Sequence, residues 1–165
     1  MNFKEYPVLL DDQVAEITLS YSNRLKLKDR VKVTNPNIAG SIFRQTWNPD
    51  KLELQESFKV MLLNRNNQLL GIVNLSEGGI AGTVVDMKLL FAVVLKSLAS
   101  GIILCHNHPS GNLCPSDSDL RLQRKVETNC SSLEISMLDH LILTYDGFYS
   151  FVNEKSFSFD TQETL

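Results

Sequence analysis

Between positions 106 and 119 the chain runs His-Asn-His-Pro-Ser-Gly-Asn-Leu-Cys-Pro-Ser-Asp-Ser-Asp, and no other stretch limits the possible folds as tightly. Two imidazoles one residue apart, His106 and His108, and the carboxylate of Asp119 a short loop later supply three protein ligands for one zinc ion. Three protein ligands leave a fourth tetrahedral position for water, the arrangement of a catalytic rather than a structural site. A fold that serves this purpose must bring the three side chains together.

The surrounding residues suit that demand. Ile102, Ile103 and Leu104 form an apolar, β-branched run after Gly101, which predicts a short buried strand. Residues two apart on a strand face the same side, so a strand continuing through His108 turns both imidazoles one way and Asn107 the other. Pro109, Ser110, Gly111 and Asn112 are turn formers that let the chain double back. From Ser116 to Cys130, Leu122, Val126 and Cys130 recur at four-residue spacing, which predicts a helix. Asp119 falls in its first turn, where the loop can return its carboxylate to the histidines. Ser116-x-x-Asp119 is also a helix capping box, in which serine caps and the acid satisfies a backbone N–H. A cap alone does not require H-x-H just upstream.

H-x-H, seven residues, then S-x-x-D resembles the signature of the JAMM (MPN+) zinc metalloproteases. His-Asn-His-Pro-Ser-Gly, with Leu138-Asp139-His140-Leu141-Ile142 further on, resembles the RadC-like branch of that family. The resemblance runs from about Val14 to Val152. It implies one α/β domain of the JAB/MPN type, a mixed β-sheet flanked by helices with a cytidine-deaminase-like architecture. The expected division is a lead-in over 1–13, the RadC-like JAB/MPN domain over 14–153 and a polar, frayed tail over 154–165. RadC proteins often carry a helix-hairpin-helix segment ahead of this domain, for which too few residues precede the first expected strand.

The resemblance further implies a glutamate just before a core strand, and Glu56 matches that position ahead of Lys59-Val60-Met61-Leu62-Leu63. Hydrolysis at a zinc site wants such a group, a carboxylate that takes a proton from water and passes it to the leaving amine. Glu53, the other nearby acid, lies an odd number of residues away, so in an extended chain it faces the opposite side. Ser116 is then expected to bond the oxyanion or the attacking water, to cap the helix, or both. The implied activity is a zinc-dependent metallopeptidase or isopeptidase in which water, activated by zinc and Glu56, attacks an amide. Asn107 stands where eukaryotic members usually have Ser or Thr, and no insertion that would grip a ubiquitin-like substrate is identified.

Other function classes fare less well. A zinc deaminase wants H-x-E with P-C-x-x-C, but His108 takes the place of that glutamate and no C-x-x-C exists. The RadC-like proteins carry a DNA-repair label, which suggests a nucleic-acid-associated accessory factor. A net charge of −3 argues weakly against direct DNA contact. Arg24, Lys26, Lys28, Arg30 and Lys32 do occupy every second position, so an extended chain shows them on one side. Without interleaved aromatics this is better read as a charged edge strand that resists pairing with other chains. Three cysteines, at 105, 114 and 130, imply no disulfide framework. Cys105 and Cys114 flank the proposed site as alternative soft ligands, but alternation turns Cys105 away from His106. With no apolar leader at the first residues and no apolar run long enough to span a membrane, the expected compartment is the cytoplasm.

The remaining pattern gives the layout. Ala15, Ile17, Leu19 and Tyr21 alternate with polar residues as a half-exposed strand. Asn35 caps a helix from Pro36 to about Thr46, and Pro49-Asp50 closes the following connection. Strands over about 56–64 and 69–76 flank a turn at Arg65-Asn66-Asn67-Gln68, and Gly78, Gly79 and Gly82 mark a loop. Asp86 caps a helix from Met87 to Ala99 whose nearly continuous apolarity predicts burial on all sides. Strands over about 133–143 and 148–152, with a turn at Tyr145-Asp146-Gly147, complete the set. Trp47 is expected in the core. His140 reads either as a satisfied core or surface histidine or as a contact that orients the metal ligands, and Asp139 is equally open.

Overall fold

The structure is a computed structural model that describes residues 26–79 and 84–159. The expected lead-in, the strand around Ala15–Tyr21, Arg24 and Gly82 lie outside the described residues.

Helix α1 (Pro36–Thr46) begins as its sequence dictates: Asn35 is extended and its side chain accepts from the Ile38 N–H at 3.0 Å, with Pro36 in the first turn. Pro49 and Asp50 do more than close a loop, because Asn48 caps a second short helix, α2 (Pro49–Leu52). Strands β1 (Ser57–Leu63) and β2 (Leu69–Glu77) form the expected hairpin. Helix α3 spans Met87–Lys96, strand β3 spans Gly101–Asn107, and helix α4 spans Asp117–Ser132. Strands β4 (Ser136–Leu143), β5 (Gly147–Ser150) and β6 (Lys155–Ser158) follow.

The six strands make one mixed sheet in the order β2-β1-β3-β4-β5-β6. Only β3 and β4 are parallel, joined by the α4 crossover; the other pairs are antiparallel. Strict alternation divides the core. Ile103 and Cys105 of β3 join Ala39, Phe43 and Trp47 under α1, while Ile102 and Leu104 join Leu90, Val94, Val126 and Cys130 under α3 and α4. Strand β3, central and covered on both faces, is buried along its whole length.

Four expectations change. The tail is not frayed from residue 154, because Lys155–Ser158 pair with β5, and Phe157 stacks on Phe148 with ring centroids 4.9 Å apart. Alternating Phe157 and Phe159 with serines gave the tail a strand period that its polar composition obscured. Helix α3 stops at Lys96 because Leu98 adopts a left-handed φ of 53°, which breaks the helical path. It is also not buried on all sides. Only Leu90 and Val94 are fully covered, while Leu89 and Leu95 remain 47% and 49% exposed, since a helix lying on a sheet presents one stripe to it. Finally, Leu27–Asp29 form a 3₁₀ turn, so the basic run does not continue as one extended ribbon. Lys32 makes an isolated bridge to Gln68 at the start of the β2 edge.

Gly147 admits β6 at the far edge. A Cβ there would collide with the Phe157 carbonyl, and backbone cannot swing aside. Gly147→Ala is expected to cost about 1–3 kcal/mol. Urea unfolding measures the loss, and amide exchange over residues 155–158 should accelerate. An unchanged midpoint with unchanged protection would refute this account of the edge.

Candidate metal centre

The site lies where β3 ends and α4 begins. His106 follows Ile102 and Leu104 on the α4 side of the sheet and is 3% exposed. His108 lies one residue beyond β3, yet its N–H still bonds the Leu143 carbonyl at 3.0 Å, so the strand's alternation extends to it. Its Nδ1–H donates to the Asn112 carbonyl at 2.6 Å, across a turn in which Gly111 takes φ +76°. The chain therefore doubles back within a few residues, and the His108 ring is fixed by the loop it starts.

Ser116 and Asp119 form the capping box of α4. Ser116 Oγ accepts from the Asp119 N–H at 3.3 Å, and Asp119 Oδ2 accepts from the Ser116 N–H at 2.7 Å and from its hydroxyl at 2.6 Å. The same carboxylate faces the histidines, with Oδ1 3.3 Å from His106 Nε2 and Oδ2 3.6 Å from His108 Nε2. The two Nε2 atoms are 3.1 Å apart. Cap and candidate ligand are thus one residue.

This donor set fits a metal ion. One ligand atom from each of His106, His108 and Asp119 lies within 4.8 Å of the others, and among the described residues this group contains no cysteine. A tetrahedral ion with bonds of about 2.0–2.1 Å has ligand–ligand edges of roughly 3.3 Å. The two Nε2 atoms, 3.1 Å apart, and the nearest carboxylate oxygen to each, Oδ1 at 3.3 Å from His106 and Oδ2 at 3.6 Å from His108, are spaced close to that value. The outer ring nitrogens are already bonded, His108 Nδ1 to Asn112 and His106 Nδ1 to His140, so both Nε2 atoms are directed inward.

Electrostatics agree. Burial alone would raise the Asp119 pKa, but hydrogen bonds from His106 and His108, with Ser116, hold it far below the usual carboxylate range. Burial would lower His108, yet Asp119, the Asn112 carbonyl and the charge of Glu56 raise it. His140 is fully buried, which holds its pKa well below the ordinary histidine value, and neighbouring His106 adds to the effect.

Glu56 lies where the sequence placed it, immediately before β1, with its N–H on the Gly79 carbonyl at 3.3 Å and its carbonyl bonded by the Gly78 N–H at 2.7 Å. Its side chain lines the same cleft of about 590 Å³ as His106, His108, Ser116 and Asp119. Glu53 is not on an extended chain with it, as alternation had assumed; it is the exposed C-cap of α2. Cys105 is buried under α1, away from the site, and Cys114 is exposed on the cleft wall.

Sequence reasoning missed two contacts, those of Asn107 and Gln123, and left that of His140 open. Asn107, fully buried and turned away from the metal group, accepts from the Ser57 N–H at 2.7 Å and donates to the Leu52 and Gln55 carbonyls at 2.6 and 2.9 Å. It straps the segment carrying Glu56 to the strand carrying both histidines. His140 is both a core residue and a contact to a ligand, with Nε2 2.9 Å from His106 Nδ1 and its ring stacked on Phe151. Gln123, buried on α4, reaches His140 Nδ1 at 3.1 Å. A polar residue in the apolar stripe of α4 was the available signal. Asp139 points to the other face, where it accepts from the Ser150 hydroxyl at 2.6 Å and pins β5.

The sheet, its buried central strand and the two-histidine, one-acid group together define a JAB-type domain. The chain belongs to the RadC-like JAB domain family, whose profile matches residues 33–157. It is similar to a UPF0758 protein of Flavobacterium johnsoniae, 48% identical over 102 residues, covering 62% of this chain and 44% of that protein. A UPF0758 protein of Porphyromonas gingivalis is 41% identical over 101 residues, 61% of this chain and 44% of the relative. One from Alkaliphilus metalliredigens is 32% identical over 136 residues, 81% of this chain and 57% of the relative. The chain thus spans about half the length of these curated relatives.

The pKa shifts set a pH dependence for the metal-free protein. Asp119, depressed in the fold, stabilises fully above its unfolded value of about 3.9, and this contribution fades as the pH falls further. His108, raised in the fold, stabilises fully below about 6.5, and its contribution fades as the pH climbs through the raised value. His140, lowered in the fold, works the other way and loses stability as the pH falls below about 6.5, so urea midpoints in chelator should peak near that pH. Asp119→Asn should flatten the acid limb and lower the peak; an identical profile in that variant would contradict the assignment.

Proposed function

We propose that this domain is a zinc-dependent hydrolase of the JAMM metallopeptidase or isopeptidase type, acting on an amide bond of a peptide or protein. The observation that carries this reading is the convergence of His106 Nε2, His108 Nε2 and the Asp119 carboxylate in a cleft that Glu56 also lines. Zinc held by those three residues would bring the pKa of water towards 7 and polarise a carbonyl.

The other steps belong to the chain. Glu56, anchored through the backbone at Gly78 and Gly79 and by the Asn107 strap on its flank, takes a proton from the attacking water and delivers it to the leaving nitrogen. Ser116 redirects its hydroxyl from Asp119 to the developing oxyanion, while the Ser116 N–H keeps its hold on the carboxylate. Phe58, Val84, Val85 and Leu122 give the cleft apolar walls, and Ser110 and Asn112 give it polar groups, a mixture suited to an extended peptide.

We place the protein in the cytoplasm, where a reducing medium suits three free thiols. No helix among the described residues is long and apolar enough to cross a membrane. A DNA-repair accessory role is the weaker reading, since the turn at Leu27–Asp29 interrupts the basic run on which it depends.

Elemental analysis should find one zinc per chain, lost in His106→Ala. Glu56→Gln should keep its zinc and lose roughly 10²–10⁴-fold in hydrolysis, which makes it the bait for capturing the substrate. Hydrolysis at the wild-type rate in Glu56→Gln would remove Glu56 from the role. A wild-type chain that takes up no zinc would end the reading altogether, and salt-sensitive DNA binding that survives chelation would favour the accessory role.

A further inference from the structure

We propose that Gln123 and Glu127 are positioning residues that decide, through His140, which ring nitrogen of His106 is presented to the metal. This rests on the metal reading above. It concerns residues that the H-x-H and S-x-x-D pattern does not include.

The relay runs inward from the helix surface. Glu127 is exposed, and its ionised carboxylate can only accept hydrogen bonds. Gln123 Nε2 lies 2.6 Å from Glu127 Oε1, so the amide NH₂ is the group turned towards the acid. Gln123 Oε1 must then face the other way, where it sits 3.1 Å from His140 Nδ1. A carbonyl oxygen donates nothing, so His140 carries its proton on Nδ1. With Nδ1 holding its proton towards Gln123 and the ring packed against Phe58 and Phe151, Nε2 is left as the acceptor. His106 Nδ1, 2.9 Å away, therefore donates. With Nδ1 supplying the proton to His140, Nε2, the atom that faces His108 and Asp119, can release the proton it shares with Asp119 and present its lone pair to a metal.

Reversing the amide inverts every step. The NH₂ of Gln123 would then meet His140 Nδ1, His140 would donate from Nε2, and the proton of His106 would move to Nε2, where it blocks coordination. The charge on Glu127 makes that reversal costly. Asp119, Gln123 and Glu127 recur every four residues along α4, so one stripe of one helix carries the ligand, the relay and the acid that orients the relay. His108 is set separately by the Asn112 carbonyl. The two imidazoles are prepared by independent devices.

The test uses the whole chain, whose three histidines all belong to this network. Long-range ¹H–¹⁵N correlation on metal-free protein reads which nitrogen of each ring carries a proton. Zinc affinity is measured alongside by chelator competition. The wild type should show Nδ1–H on all three rings. In Gln123→Met, His140 and His106 should shift towards Nε2–H while His108 stays unchanged, and zinc affinity should fall about 10–100-fold. Glu127→Ala should move the same two rings, and Glu127→Gln, whose amide oxygen still accepts from Gln123, should restore them. A merely structural role would lower the melting temperature without moving the tautomers.

Unchanged tautomers and zinc affinity in a folded Gln123→Met would overturn the relay and leave the metal reading intact. If that variant does not fold, the exposed Glu127 pair decides: no difference between Glu127→Ala and wild type would overturn it. A wild type without zinc affinity, but with the tautomer shifts present, would sink the metal reading and keep the hydrogen-bond relay.

Discussion

The carboxylate of Asp119 joins the two halves of this domain's chemistry. It closes the first turn of α4 by accepting from the N–H and hydroxyl of Ser116, and its other side faces both histidines. Helix start and strand end are thereby locked to each other at one point. An ionised acid there satisfies orphan donors of the helix and complements its dipole, so the requirement for folding and the requirement of the candidate metal site select the same residue.

The strand end divides its labour by alternation. His106 and His108 face α4, and Asn107 between them faces α1, where it binds the backbone of 52–57 through both ends of its amide. Substituting an apolar residue for Asn107 would leave that segment's buried backbone groups without partners, at about 1–3 kcal/mol apiece. The segment so held is the one that delivers Glu56 to the cleft. Three consecutive side chains thus hold the metal group and register the proposed base against it.

Much of this was legible in the primary structure because the signals were local. The Asn35 cap with Pro36, the Asp86 cap, the β1–β2 hairpin and the capping box of α4 each depend on residues a few positions apart, and each formed as expected. Expectations failed where the outcome depended on distant partners. Apolarity on every side of α3 did not bury it, because only one layer of sheet lies beneath it. Polar composition hid β6, which forms because Phe148 is present to receive Phe157. Regular charge spacing suggested a ribbon over residues 24–32, which a single 3₁₀ turn interrupts.

By itself the sequence determined the candidate ligand types, their spacing and the turn that returns Asp119 to His106 and His108, since alternation and capping are properties of short segments. The tertiary structure decided which groups stand behind those ligands. His140 meets His106 across the parallel β3–β4 pair, and Gln123 meets His140 only because α4 packs over that pair. Such contacts join residues 17 and 34 positions apart. No local period encodes them, because a buried imidazole takes its proton position from whichever atom the fold sets against it.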